Sequence, residues 1–229
     1  MGAKLKPADR LSGEITKGLG RAWAAIRRRH PDLPPAVVVL ASGREGAALS
    51  KWGHWGESRW RVAGELAGEV LVAGELLAPG AGNTPGAPVE ERVLEVLLHE
   101  AAHAIATARG IRDTSRGGRY HNARYKALAE EVGLTCEETM HGWALTELPR
   151  ETAQKYSSEL EALREVLRGY RHDDSPGRRE KQKPTRVLAA CGCDRRIYVA
   201  RSVLEAGPIT CGLCDEEFTA PEESESEES

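Results

Sequence analysis

The sequence has few aromatic residues, 5% in all with a single phenylalanine, and it has no long apolar run. Spanning a bilayer takes roughly 20 consecutive apolar residues, so no membrane segment is predicted. The basic residues near the start are not followed by the apolar stretch of a secretory signal. With 40% hydrophobic and 29% charged residues, we expect a soluble, globular, cytoplasmic protein without a membrane partner.

Cysteine is also scarce, and four of the five cysteines form two close pairs, Cys191-Gly-Cys193 and Cys211-Gly-Leu-Cys214. In a reducing compartment such pairs favour a metal site over disulfides or a redox dithiol. Four thiolates would complete the coordination of a structural zinc ion. A module of about 30 residues buries too little apolar surface to fold alone, so its folding should depend on the metal.

Charge is distributed unevenly along the chain. The final segment DEEFTAPEESESEES has eight acidic residues and no basic one, although the whole chain has a net charge of only −3. Basic residues cluster near the start, from Lys4 to Arg29, and in the stretch from Arg178 to Arg186. Such clusters can contact phosphates, so DNA is a possible partner, although solvated charge is the commoner reason for them.

Hydrophobic periodicity and turn residues predict an α+β arrangement. Helices are expected at 7–29, 89–109, 122–132 and 150–167, and strands at 36–40, 58–62, 69–77 and 143–148. The polar, proline-containing stretch RHDDSPGRREKQKPTR is typical of a flexible linker. We therefore expect a main domain over 1–169, a basic linker over 170–187, a zinc ribbon over 188–219 and a disordered acidic tail over 220–229.

The stretch LLHEAAHAIA lies within the most apolar of these helices. Residues four apart share a helical face, so His99 and His103 can reach one zinc ion. Glu100 can reach a water on that ion, where a carboxylate can act as a general base in hydrolysis. Alternatively, they are two histidines that merely share a face of a buried helix.

A catalytic zinc ion needs a third protein ligand. The metzincin pattern would require glycine at Ala106 and histidine at Arg109, so this sequence does not fit it. A glutamate from the next helix would make Glu130 or Glu131 the ligand. His121 is favoured, because the glycine-containing loop GIRDTSRGGRY can fold back on the HEAAH helix.

The segment HEAAHAIATARGIRDTSRGGRYHNARYKALAEEVGL resembles the core of the SprT-like zinc metalloproteases, which are related to Spartan. The resemblance implies a zincin-like domain with His99, His103 and His121 as ligands of a catalytic zinc ion and Glu100 as general base. It also implies an aromatic packing role for Tyr125 and a C-terminal zinc ribbon. Asn122 departs from the family, which usually has glycine at this position.

The leading hypothesis is therefore a zinc metalloendopeptidase with a catalytic and a structural zinc ion, acting on protein substrates that are associated with DNA. The alternative is a catalytically silent, DNA-associated zinc-binding protein. Three tryptophans in KWGHWGESRW could line a groove or fill the core, with core filling favoured. His54, His141 and Tyr120 are further candidates near the site, each with an equally good structural explanation.

Overall fold

The computed structural model describes residues 7–45, 48–49, 51–84, 86–172 and 186–220. The protein is a mixed α+β structure with small sheets, as predicted. The chain divides into two compact units, residues 1–173 and 174–229. Among the described residues, no helix combines the length and the apolar character that crossing a membrane requires.

The first unit contains most of the regular structure. Its helices are α1 (Pro7–Arg29), α2 (Val89–Ala108), α3 (Ala123–Glu131), α4 (Arg150–Lys155) and α5 (Ser157–Val166). Its strands are β1 (Ala36–Ala41), β2 (Arg44–Glu45), β3 (Ala48–Leu49), β4 (Gly53–Val62), β5 (Glu65–Ala73), β6 (Thr114–Ser115), β7 (Tyr120–His121), β8 (Thr135–Thr139) and β9 (Gly142–Glu147). A 3-10 turn, Gly74–Leu77, follows β5.

Helix α2 lies at the centre of the first unit. Fourteen of its 20 residues are buried, because its apolar positions cover more than one face. It contacts α1, α3 and α5 as well as the sheet formed by β1, β5 and β4. In that sheet β1 runs parallel to β5 and β4 runs antiparallel to it. The helix that carries the HEAAH sequence is therefore held by the core on several sides.

Most predicted elements of the first unit are confirmed with small shifts at their ends. The helix over 7–29 and the strand starting at Ala36 are found as predicted. The helices predicted at 89–109 and 122–132 are α2 and α3, and the strand predicted at 143–148 is β9. These are the elements with the clearest periodicity and the clearest stop signals.

Other predictions need correction. The strand predicted at 58–62 begins at Gly53, so most of the tryptophan-rich stretch lies on β4. The strand predicted at 69–77 ends at Ala73 and continues as the 3-10 turn. The helix predicted at 150–167 is interrupted at Tyr156, whose buried ring lies under the guanidinium of Arg29. β8 was not predicted, because the sequence TCEET has no apolar alternation.

The first unit extends slightly beyond the predicted boundary at 169. The backbone N–H of Arg171 donates to the oxygen of Gly74, and its guanidinium bonds Glu75 Oε1 at 3.0 Å. Most of the predicted linker and nearly all of the predicted tail lie outside the described residues. The basic residues Arg27, Arg28 and Arg29 at the end of α1 interact within the fold, with backbone oxygens or with Glu159.

The second unit is small. Its described elements are the antiparallel pair β10 (Arg186–Ala190) and β11 (Arg196–Ala200), and a short helix, α6 (Arg201–Ala206). β10 starts two residues before the predicted ribbon boundary at 188. Its buried cluster consists of Ala189, Cys191, Cys211 and Phe218. The predicted module is thus built around its cysteines.

Candidate metal centre

Helix α2 places His99 and His103 on one face, and β7 brings His121 to them. The possible ligand atoms of the three residues lie within 4.8 Å of one another. The Nε2 atoms of His103 and His121 are 3.1 Å apart. His99 and His121 have ring centroids 5.3 Å apart. The tertiary fold therefore brings His121 next to His99 and His103, as expected for a third ligand.

A glycine allows His121 to occupy this position. β7 pairs in parallel with the start of β9, where His121 lies opposite Gly142. A Cβ at Gly142 would come within 2.0 Å of the His121 oxygen, and the φ of Gly142 is +73°. Glycine is therefore required here both for space and for backbone conformation. The His121 N–H also donates to the oxygen of His141 at 3.0 Å.

The three histidines suit a metal ion. In a tetrahedral zinc site with bonds of about 2.0–2.1 Å, neighbouring nitrogens are about 3.3 Å apart, close to the separation of the His103 and His121 nitrogens. Burial, with the neighbouring histidines, holds the pKa of His99 well below its ordinary value. Burial also lowers the pKa of His121 to about 4. Neutral imidazole is the form that binds a metal ion.

Hydrogen bonds behind two of the histidines fix which nitrogen faces the site. His103 Nδ1 lies 2.6 Å from Asp113 Oδ2, so its Nδ1–H donates to that carboxylate. His99 Nδ1 lies 3.3 Å from the Thr146 hydroxyl, which itself donates to Glu95 Oε1 at 2.9 Å. Both rings are therefore held with Nε2 free to bind a metal ion, the arrangement found around protein-bound zinc.

Replacing Asp113 by asparagine is expected to weaken metal binding at this site by roughly 10- to 100-fold, the usual cost of losing such a partner. The neutral amide would polarise the His103 ring less and would no longer fix its tautomer. Competition with a chromophoric chelator measures the change. Asn122→Asp, which alters a neighbouring side chain that caps α3, is the control. Unchanged affinity in Asp113→Asn would contradict this positioning role.

Glu100 lies beside the histidines in an environment that disfavours its charge. Its side chain is buried, and burial raises its pKa to about 7, although a hydrogen bond from the Trp55 backbone opposes the shift. A Cβ at Gly53 would lie 2.7 Å from Glu100 Oε1 and 2.5 Å from Val96. Gly53 therefore leaves room for the carboxylate next to β4. Sequence reasoning missed Gly53, although glycine within a strand can mark such a close approach.

All of these groups open into one cleft of about 1170 Å³. His99, Glu100, His103 and His121 line it together with Asp113 and Thr146. Sequence reasoning also missed Asp113, Thr146 and Glu95, since nothing in their spacing marks them as partners of the histidines. The site therefore combines three nitrogen ligands, a carboxylate with a raised pKa and an open approach.

The alternative third ligands, Glu130 and Glu131, are occupied elsewhere. Glu131 forms a two-pronged ion pair with Arg109, and Glu130 lies 3.7 Å from Lys126. Neither belongs to the group that can hold a metal ion with His99 and His103. His54 and His141 do line the cleft.

Two tyrosines flank His121 in the sequence and have different positions. Tyr125 is fully buried, and its ring centroid lies 4.5–5.0 Å from those of the three histidines. It thus packs behind the histidines, as the resemblance implies. Its buried hydroxyl has no partner among the described residues. Tyr120 instead lies under the guanidinium of Arg116.

Of the three tryptophans on β4 and just before it, two pack against the core and one is exposed. Trp55 stacks on Trp23 and donates to the Thr107 hydroxyl at 3.1 Å. Trp52 and Trp55 both pack against the core and line the cleft. Trp60 is 42% exposed and donates to Glu69. The stretch therefore contributes tryptophan side chains both to the core and to the lining of the cleft.

The four paired cysteines form a second group that can hold a metal ion. The Cys191 and Cys193 sulfurs are 3.3 Å apart, and the Cys193 and Cys211 sulfurs 3.8 Å, against about 3.8 Å expected in a tetrahedral zinc site with Zn–S bonds of about 2.3 Å. Backbone N–H groups of Leu213 and Cys214 lower the pKa of Cys211 to about 6, which favours the thiolate. Cys136 lies apart, and burial raises its pKa to about 11.

No model of a known protein family matches the chain, and neither does any curated protein or solved structure compared with it.

Proposed function

We propose that the protein is a zinc-dependent metalloendopeptidase of the SprT-like class, with His99, His103 and His121 as the catalytic ligands and a zinc ribbon around the four paired cysteines. One observation carries the proposal. Three imidazoles converge beside a buried carboxylate in the lining of one cleft. A purely structural site would surround its ion with protein ligands and leave no approach for a substrate.

The donor atoms favour zinc at both positions. Imidazole nitrogens suit zinc, although they also bind copper, iron and nickel, and four thiolates in a tetrahedral arrangement are typical of zinc or iron–sulfur sites. Two zinc ions per chain are therefore proposed, one catalytic and one structural. The three-histidine site has one coordination position left for water or substrate, and the four-cysteine site has none.

A zinc ion at the three-histidine site would act as a Lewis acid that makes a water molecule acidic and polarises the substrate carbonyl. Glu100 would take the proton from that water on a carboxylate oxygen. It would then pass the proton to the leaving amine, as a general base followed by a general acid. In the metal-free protein, burial raises the pKa of this carboxylate towards neutrality.

The resemblance to SprT-like proteases favours substrates that are attached to DNA. The basic residues of the predicted linker agree with such a setting. The second unit adds a suitable surface, because the outer face of its ribbon displays Arg186, Arg196 and Tyr198, and Tyr198 is 75% exposed. An aromatic ring beside arginines can stack on bases. The same face favours the alternative function, a catalytically silent zinc protein that binds DNA.

Digestion of an unfolded protein separates the two functions. The zinc-loaded full chain is expected to cut it into peptides seen by mass spectrometry, and His99→Ala/His103→Ala is expected to cut none. Metal analysis should give two zinc ions per wild-type chain and one per double-variant chain. Full zinc occupancy without cleavage, in the presence or absence of DNA, would favour the silent alternative.

A further inference from the structure

The loop between β6 and β7 carries two arginines at the cleft. Arg116 and Arg119 line it on either side of Gly117 and Gly118, and both side chains are exposed. Within the described part of the chain, neither forms an ion pair with an acidic residue. The Arg116 guanidinium lies 4.8 Å from the centre of the Tyr120 ring. Arg116 and Arg119 are called the cleft arginines below.

The backbone of this loop holds Arg116 in a conformation that arginine seldom adopts. The Gly118 N–H donates to the Ser115 oxygen at 3.1 Å, which closes a turn with Arg116 and Gly117 at its centre. The φ angles of these two central residues are +52° and +69°, as in a type I′ turn. Such turns favour Asn, Asp or Gly at both places, and other residues cost about 1 kcal/mol or more there. The turn thus holds Arg116 next to the two glycines in the lining of the cleft.

The charges that line the cleft are separated by sign. Its acidic residues are engaged inside: Glu95 with Thr146 and Asn83, Glu100 with the Trp55 backbone, and Asp113 with His103. The basic residues of the lining include the two cleft arginines, which are exposed and form no ion pair within the described part of the chain. A cleft whose accessible charges share one sign concentrates ligands of the opposite sign.

Resting on the proposed function, we propose that the cleft arginines select polypeptide substrates with acidic side chains flanking the bond to be cut. A guanidinium pairs with a carboxylate through two parallel hydrogen bonds, which gives orientation as well as attraction. The arginines lie on the loop that leads into His121, and Arg119 is two residues from it. A substrate held by this loop would therefore lie beside the three histidines.

Acidic peptide is a better match for this surface than nucleic acid. Binding to nucleic acid draws its affinity from many phosphate contacts along an extended basic track. Here the cleft arginines lie in one cleft of about 1170 Å³ that also contains the carboxylate and the histidines. Recognition of a few carboxylates on one peptide segment does not require an extended basic track.

The test uses the zinc-loaded full chain and three peptides that differ only in the residues flanking a common centre, which are Glu, Gln or Lys. Arg116→Asn/Arg119→Gln removes both charges, and asparagine tolerates the turn conformation at Arg116. Arg150→Gln/Arg168→Gln removes two exposed arginines outside the cleft as a matched control. In a Glu100→Gln background, fluorescence anisotropy measures binding without turnover, and cleavage is measured with Glu100 intact.

The wild-type chain and the control are expected to bind the Glu peptide roughly tenfold more tightly than the Gln peptide, and this preference should weaken with salt. The cleft variant should lose the preference. Equal binding of the Glu and Gln peptides by wild type, no detectable binding of the Glu peptide, or an unchanged preference in the cleft variant would each overturn the proposal. So would tighter binding of a single-stranded oligonucleotide that depends on the same arginines.

Failure of this proposal and failure of the proteolytic function give different results. If the Glu peptide binds through the cleft arginines but wild type cuts none of the peptides, the acidic preference stands and the proteolytic function fails. If wild type cuts all three peptides equally and the cleft variant does the same, the proteolytic function stands and the acidic preference fails.

Discussion

Replacing Glu100 by glutamine is expected to lower the rate of peptide hydrolysis by roughly 10²- to 10⁴-fold, the usual contribution of a positioned general base. The amide oxygen can still accept the hydrogen bond from the Trp55 backbone, so the side chain should keep its place beside β4. The amide cannot take a proton from water. Turnover of an unfolded protein or a quenched peptide, at saturating zinc, measures the loss.

The stability of Glu100→Gln provides its internal control. The folded-state pKa of Glu100 is raised to about 7 by burial, above its ordinary value, so the ionised carboxylate opposes folding of the metal-free protein at higher pH. The neutral amide removes this penalty. Thermal unfolding at pH 8 without metal should therefore show Glu100→Gln to be at least as stable as wild type. It should also retain two zinc ions, and undiminished hydrolysis in such a protein would exclude Glu100 as the base.

Removing zinc is expected to unfold the second unit and to leave the first unit folded. The buried cluster of the second unit contains Ala189, Phe218 and two of the cysteines, which is too little apolar surface to offset the entropy of ordering the segment. A structural zinc ion contributes on the order of 10 kcal/mol to such a module. The first unit has a large separate core around α2 and should not need the ion to fold.

Two variants and two spectroscopic signals show separately how each unit responds to the loss of zinc. Cys211→Ser should reduce bound zinc from two ions to one, whereas Cys136→Ser, which lies outside the cysteine pairs, should keep two. All five tryptophans lie within the first unit, so the fluorescence unfolding transition reports that unit alone. In NMR spectra, chelation should collapse the dispersed amide signals of residues 186–220. A second unit that keeps its dispersion without metal would contradict the structural role of the cysteines.

Local patterns allowed much of the first unit to be predicted. Proline, glycine and apolar spacing placed the ends of α1, α2 and α3 within a few residues, because these signals act within one helical turn of the helix end. The predictions failed where tertiary packing decided the backbone. Tyr156 interrupts a helix under Arg29, and β8 forms from a polar sequence because β9 lies beside it. The start of β4 was missed because glycines interrupt its pattern.

The chemical groups of the two sites could be read from the amino-acid sequence alone. The i and i+4 spacing of His99 and His103, with Glu100 between them, and the two cysteine pairs follow from distances that helix and turn geometry set locally. How these groups are held and oriented depends on contacts that form only in the folded protein. Asp113 and Thr146 fix ring nitrogens of His103 and His99, Gly142 and Gly53 make room for His121 and Glu100, and the cleft arginines line the same cleft. These contacts join residues far apart in the chain, whose proximity depends on the packed fold and not on any local pattern.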